Sequence, residues 1–250
     1  GVLSVSRWFD PTNASETSRL LALATGALID RGVANASAHI VLVARQKDAT
    51  ILVSNRPFSP ADLATIGDLQ GVIQKLPYLK DLGIKGIWLM PINQSQDHDH
   101  GYAVTDYRAI ETDYGTLADF DELLRQAHAR GIGVIMDYVI NHSAAEHPLF
   151  THSAHSGSDP YRDWYVWQPS APSGWNIYGS NPWHTTARGS YFAGFWSQMP
   201  DFNLRHPQAV AHHHDNLRFW LNRGVDGFRF DAVGNLVENG PQAWEHQPER

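Results

Sequence analysis

The chain has 250 residues, 26 acidic against 19 basic side chains, and a net charge of −7. The acidic balance argues against a nucleic-acid partner, the 42% hydrophobic content against disorder, and the lack of cysteine removes disulfide and thiol chemistry. No apolar run approaches the ~20 residues of a membrane span. Residues 20–29 (LLALATGALI) are too short to span and lack the flanks of a signal peptide, so no membrane partner is expected.

Residues 1–48 form an N-terminal region that carries no recognisable chemistry, with a helix expected over 15–30, stopped by Gly32, and a strand over 39–45. From residue 49 a rhythm begins. A short β-type run at 49–54 precedes an amphipathic helix at 68–82, in which Leu69, Val72, Ile73, Leu76 and Leu79 recur at helical spacing and Pro77 interrupts. An apolar strand follows at 84–92, then a helix at 116–130 with Thr116 as N-cap and Asp119 three residues on. Strand 132–140, helix 207–222 and strand 224–233 complete the series. Strands apolar on both faces and alternating with helices predict a parallel α/β sheet. The interval after the third strand is about twice as long as the others. It holds five of the nine tryptophans, between Trp164 and Trp196, which predicts a small domain inserted at 142–204 rather than a structureless loop.

In parallel α/β folds the ligand sits at the carboxyl ends of the strands, and the candidates collect there. The last strand reads GVDGFRFDAV, an apolar run carrying Arg229 and Asp231 two residues apart, hence on one side of the strand. The guanidinium would hold the carboxylate ionised, as a nucleophile or general base requires; a structural salt bridge is the alternative at even weight. The preceding strand ends in Asp137, followed by Asn141 and His142, and the one before it leads to DHDHGYAVTDY, with Tyr102. Taken singly, Asn141 reads as a loop cap, His142 as a satisfied junction histidine and Tyr102 as a packing residue; their agreement at three strand ends favours a site. His98 and His100 raise a zinc reading, although a polar loop at the mouth of the site suits H-x-H better. His212, His213 and His214 read as an exposed patch. Most of the clustered aromatics are expected in the core of the insertion, with one or two facing a ligand, since sugar rings present flat C–H faces to aromatic rings.

Over residues 66–249 these motifs resemble the α-amylase family of glycoside hydrolases: IGDLQGVIQKLPYLKDLGIKGIWLMPI, HGYAVTDYRAI, DYGTLADFDELLRQAHARGIGVIMDYVINH, MPDFN and GVDGFRFDAV. The resemblance implies a (β/α)8 TIM barrel, of which residues 49–141 and 205–250 supply the first four or so βα units (domain A), with domain B inserted after strand 3. It implies Asp231 as nucleophile with Arg229 as its electrostatic partner. Tyr102 and His142 are implied as contacts to the sugar ring, Asp137 as the structural aspartate beside them, and Asn141 as a calcium ligand. No cofactor is required for the chemistry. A retaining glycosidase holds its acid and nucleophile about 5–5.5 Å apart, and the family's acid, a Glu, and its second aspartate come from strands beyond residue 250. The chain is therefore expected to be a piece of a longer enzyme, unable by itself to hydrolyse starch. The first-loop calcium motif is not kept, since Asp62 and Asp68 are left but Pro60 and Ala64 stand in the other acidic places. Ala103, where exo-acting glucosidases carry Asp, favours endo action, and Gly234 and Asn235 replace a Lys-His type pair after the nucleophile. The activity implied is a retaining α-amylase cleaving α-1,4 bonds of starch or maltooligosaccharides. The alternatives are a transglycosidase or isomerase like trehalose synthase or neopullulanase, or a non-catalytic carbohydrate-binding relative. A starch polymer does not enter cells easily, which points to a secreted or periplasmic enzyme.

Overall fold

Two units, Gly1–Leu82 and Gly83–Arg250, divide the chain in the computed structural model, which describes residues 2–8, 15–45, 48–54, 68–96 and 101–246. In the first unit β1 (Val2–Trp8), β2 (Ile40–Arg45) and β3 (Asp48–Ser54) form an antiparallel sheet in the order β1-β3-β2. Helix α1 spans Ser15–Asp30, as the sequence predicts, and Gly32 follows it at φ +80°. The run at 49–54 thus forms a strand, but joins 1–48 in an antiparallel sheet instead of opening the parallel one. Only two residues separate β2 from β3, so these two pair antiparallel, since a parallel neighbour needs a crossover of a dozen or more. Helix α2 (Leu69–Asp81) is capped by Asp68, whose carboxylate accepts from the Gly71 amide at 2.6 Å, and it buries Leu69, Gly71, Ile73 and Leu76. Pro77 removes one hydrogen bond from the helix without ending it.

The second unit carries the parallel sheet. Strands β4 (Gly86–Leu89), β7 (Gly133–Val139) and β11 (Gly227–Asp231) lie side by side in chain order, each next to its successor. Helix α3 (Leu117–Ala129) makes the first crossover. Its Thr116 hydroxyl and Asp119 carboxylate cap one another's backbone reciprocally, as their spacing predicts. Strand β4 is shorter than the apolar run 84–92 because Pro91 has no N–H for a ladder. Beyond it the chain enters a hairpin of β5 (Asn93–Ser95) and β6 (Val104–Ile110).

Residues 142–204 contain helix α4 (Pro148–His155) and a sheet of β8 (Trp167–Gln168), β10 (Gly189–Phe192) and β9 (Trp183–Thr186), in that order. The insertion has a buried cluster of its own, Ile177, Trp183 and Phe192, and shares a second. Its Phe150, Tyr165 and Phe202 lie in one buried cluster with Val104, Tyr107, Tyr138 and Val139 of the hairpin and β7. Helix α5 (Pro207–Arg223) then leads back to β11, ending at Gly224 in the left-handed region. Its inner stripe is Ala209, His213, Asn216 and Trp220, all buried.

That stripe corrects the expectation of an exposed histidine patch at His213, while His214 is exposed as expected and His212 is half-buried. His213 is 1% exposed, its Nδ1 2.9 Å from the Tyr138 hydroxyl, and burial among neighbouring histidines pulls it well below the usual histidine range. Trp220 Nε1 likewise donates to the Tyr107 carbonyl at 2.8 Å. Polar side chains can line an inward helix face where each finds a partner. No helix among the described residues is long and apolar enough to cross a membrane.

Candidate active site

The side chains singled out at the strand ends meet at one end of the parallel sheet. Adjacent strands β7 and β11 pair Arg229 with Asp137 and Asp231 with Val139. Arg229 therefore reaches sideways to Asp137 and forward to Asp231. Its Nη1 lies 2.6 Å from Asp231 Oδ1 and 3.1 Å from both Asp137 oxygens. The same-side spacing of Arg229 and Asp231 produces the expected ion pair, and the neighbouring strand adds a second carboxylate to it. Trp88 of β4 completes the group, its ring centroid 5.5 Å from the guanidinium carbon of Arg229 and its side chain favouring the ionised form of Asp137. Sequence reasoning assigned Trp88 no role, because one aromatic in an apolar strand carries no local signal.

The two carboxylates differ in setting. The Asp137 side chain is fully buried and that of Asp231 18% exposed. Burial pushes Asp137 up to about 6; Arg229 and Trp88 hold it down while the charge of Asp231 raises it further. Burial also works against the charge of Arg229, but its bonds to Asp137 and Asp231 leave it more basic than usual. The outcome is one cation shared by two acids, with the more accessible acid at the strand tip.

His142 lies just beyond β7 and is 1% exposed. Burial depresses its pKa to about 4, against the opposing influences of Asp231 and the Tyr102 backbone, so the ring is neutral at physiological pH. Its Nε2 is buried and makes no well-formed hydrogen bond among the described residues. The Tyr107 hydroxyl, 2.7 Å from the His142 carbonyl and 2.9 Å from that of Val139, fixes the backbone here. Tyr102 is half-buried and packs between the Tyr107 cluster and a second one of Ala103, Ala144 and Met199. The turn before it needs glycine. Gly101 sits at φ +95°, where a Cβ would come 2.6 Å from the Pro91 carbonyl oxygen.

Asn141 is buried, and its amide donates to Asp201 Oδ2 at 2.9 Å. Asp201 belongs to MPDFN and returns from the insertion to pair with His142. It faces Glu238, from the segment after β11, across one small cavity. Burial, then the charge of Glu238, pushes Asp201 well above the usual carboxyl range; burial raises Glu238 to about 7. Both line a cavity of about 10 Å³, enough for one water-sized sphere. Neither was read as a site residue. Asp201 stood inside a matched motif, while nothing around Glu238 signals burial. Among the described residues no three His, Cys, Asp or Glu side chains converge as a metal group. His98 and His100, with Asp97 and Asp99, lie outside the described residues, as do Asp62 and residues 55–58.

The aromatics of the insertion divide between core and surface. Trp183 is buried with Ile177 and Phe192, whereas Trp196, Phe195 and Tyr178 are 37%, 39% and 69% exposed. Phe195 touches His142, ring centroids 5.1 Å apart.

The family profile described as "Alpha amylase, catalytic domain" matches residues 52–249. The chain is 44% identical over 184 residues to Alpha-amylase 3 of Dictyoglomus thermophilum, a match covering 74% of this chain and 36% of the relative. It is 37% identical over 201 residues to an oligo-1,6-glucosidase of Parageobacillus thermoglucosidasius, covering 78% and 36%. The crystal structure of Bacillus licheniformis trehalose-6-phosphate hydrolase superposes with a TM-score of 0.69 at 35% identity, covering 74% of this chain and 37% of that one. The trehalulose synthase MutB gives 0.65 at 38% identity, with 70% and 33% covered. The chain thus spans about a third of the length of the proteins it matches, and its parallel strands are part of a (β/α)8 barrel.

Proposed function

The chain belongs to the α-amylase catalytic-domain family of glycoside hydrolases, and on that premise we propose that it carries the nucleophile of a retaining enzyme acting on α-glucosidic bonds. The observation that carries this reading is Arg229, held between the partly open Asp231 and the buried Asp137. Asp231 attacks the anomeric carbon, the bond to the leaving oxygen breaks, and that oxygen takes a proton from the acid that such enzymes supply opposite the nucleophile. Water then cleaves the glycosyl–Asp231 ester. Arg229 acts through Asp231, aiming its carboxylate and stabilising the charge it carries between turnovers. Asp137 acts one step further back. Sealed behind Arg229, it fixes the guanidinium and does not reach a sugar.

His142 and Tyr102 line the position of the attacked ring. A buried polar atom without a partner is rare, and His142 Nε2 is available to a sugar hydroxyl, with the neutral imidazole able to donate or accept. The oligo-1,6-glucosidase and trehalose-6-phosphate hydrolase matches support oligosaccharides and other short α-glucosides as substrates ahead of starch. The likeness to MutB supports a second reading, in which the glycosyl group passes to a sugar hydroxyl instead of water. An Asp–Arg–Asp arrangement at the strand ends is not needed by a purely carbohydrate-binding relative, which disfavours that alternative.

Calcium fits the residues present. Asp201 is buried and Glu238 half-buried beside it, and burial, with the charge of Glu238 acting on Asp201, raises both carboxyls above their ordinary range, the condition a divalent cation would relieve. They would hold it with the Asn141 side-chain oxygen, the ion supplying structural charge balance and taking no part in bond cleavage.

The test of the nucleophile is Asp231→Ala in the intact protein, with products followed by chromatography. Turnover is expected to fall by at least about a hundredfold while glucoside binding by calorimetry persists. Residual activity above a few per cent of wild type would remove Asp231 from the role. A dominant transfer product in the wild type would favour the second reading over hydrolysis.

A further inference from the structure

Tyr107 belongs to β6, outside the parallel sheet, and is buried. Its carbonyl accepts from two buried side chains, Asn93 Nδ2 of β5 at 3.0 Å and Trp220 Nε1 of α5 at 2.8 Å. Its ring packs among Tyr138, His213 and Phe202, with centroids 5.5, 5.5 and 6.4 Å away. Backbone and ring are therefore both held, and in a close-packed interior neither shifts alone.

The hydroxyl at the end of that ring reaches two carbonyls at once, Val139 at 2.9 Å and His142 at 2.7 Å, so one proton is shared between two acceptors. Burial, with Tyr138 and Tyr165 adding to it, pushes the phenol well above its ordinary range and keeps it a donor. Strand β4 pairs with β7 only as far as Met136, and both carbonyls lie beyond that pairing. Val139 is the register partner of Asp231 on β11. His142 carries the buried imidazole whose Nε2 has no well-formed hydrogen bond. One phenol thus ties the strand position beside the candidate nucleophile to the residue that lines the attacked ring. Buried carbonyls need some donor, but a donor on a caged ring also fixes the spacing between the two. Productive attack is sensitive to such spacing, since a displacement of about 1 Å can cost about a hundredfold in rate.

We propose that Tyr107 is a positioning residue of the α-glucoside site: through the carbonyls of Val139 and His142 it sets where the His142 imidazole stands relative to Asp231. The proposal rests on the α-glucoside reading above and deepens it. Tyr107 does not touch the sugar, and its effect on turnover passes through His142.

The test measures kcat and KM of the intact protein on maltose, isomaltose and p-nitrophenyl α-glucoside. Tyr107→Phe keeps the ring and removes the hydroxyl, and is expected to lower kcat about tenfold or more with KM within about twofold. Tyr138→Phe removes another buried hydroxyl from the same cluster, one that meets His213 instead of His142. It should leave kcat within about twofold of wild type, whatever it does to the melting temperature. Residues acting as one unit do not give additive losses, so Tyr107→Phe added to His142→Ala should change kcat by less than about twofold. A p-aminophenylalanine at position 107 supplies N–H donors on the same ring. It should keep kcat within about threefold of wild type, and it tests the proposal even where Tyr107→Phe fails to fold. Unchanged kcat in Tyr107→Phe overturns the proposal, as does an equal fall in Tyr138→Phe, an additive loss with His142→Ala, or a tenfold loss with the amino analogue. If the wild type turns over none of the three substrates, the α-glucoside reading itself fails, an outcome in which no Tyr107 variant takes part.

Discussion

Arg229 and Asp231 were readable from the chain because strand geometry puts alternate residues on one side, and both belong to one short run. Asp137 was readable as a strand-end carboxylate, but not as the second partner of Arg229, since that pairing depends on the register of β7 against β11. Its environment has a consequence for pH. The native pKa of about 6 stands above the ordinary 3.8. Between those values the folded state binds more protons than the unfolded one, so the contribution of Asp137 to stability is greatest below the lower value and is lost as pH rises through the higher. Asp137→Asn removes this dependence while also weakening the hold on Arg229. Urea midpoints taken at about pH 4 and about pH 7 should therefore differ less in the variant than in the wild type. Equal differences would show that Asp137 does not titrate in that window.

Among the elements, helices were the most legible, because their signals are local. The Thr116–Asp119 capping box, the Asp68 cap and the glycine after α5 each act within a turn of the helix end. Strands fared less well. The run at 84–92 keeps only its middle, 86–89, as β4, and the run at 49–54 pairs with antiparallel partners. Apolar content marks a strand without naming its neighbour. The β5–β6 hairpin shows what hangs on such details, for Gly101 turns the chain over Pro91 to deliver Tyr102. Gly101→Ala combines a disfavoured φ with a backbone clash and is expected to cost more than about 1 kcal/mol. Thermal and urea unfolding would measure it. A loss below a few tenths of a kcal/mol would mean that the turn rearranges freely.

Across the whole molecule, the acidic cluster joins segments far apart in the chain: Asn141 after β7, Asp201 at the end of the insertion and Glu238 after β11. A bound calcium would tie these together and stabilise the native state by mass action, about 2.7 kcal/mol at a hundredfold excess over its dissociation constant. The intact protein should melt several degrees higher in calcium than in chelator, and Asp201→Asn or Glu238→Gln should abolish the difference. Identical melting in calcium, magnesium and chelator would count against the site. What the sequence determined by itself was the alternation of strand and helix, the length of the insertion and the set of polar residues at the strand ends. Periodicity and capping act over a few residues, and each such signal is complete within its own stretch. Only the tertiary structure decided that Arg229 serves two acids, that His213 faces inward to Tyr138 and that Asp201 meets Glu238. Those facts depend on which distant segments touch, and burial, which moves Asp137, Asp201, Glu238 and His213 from their ordinary ranges, is a property of the packed molecule rather than of any stretch of chain.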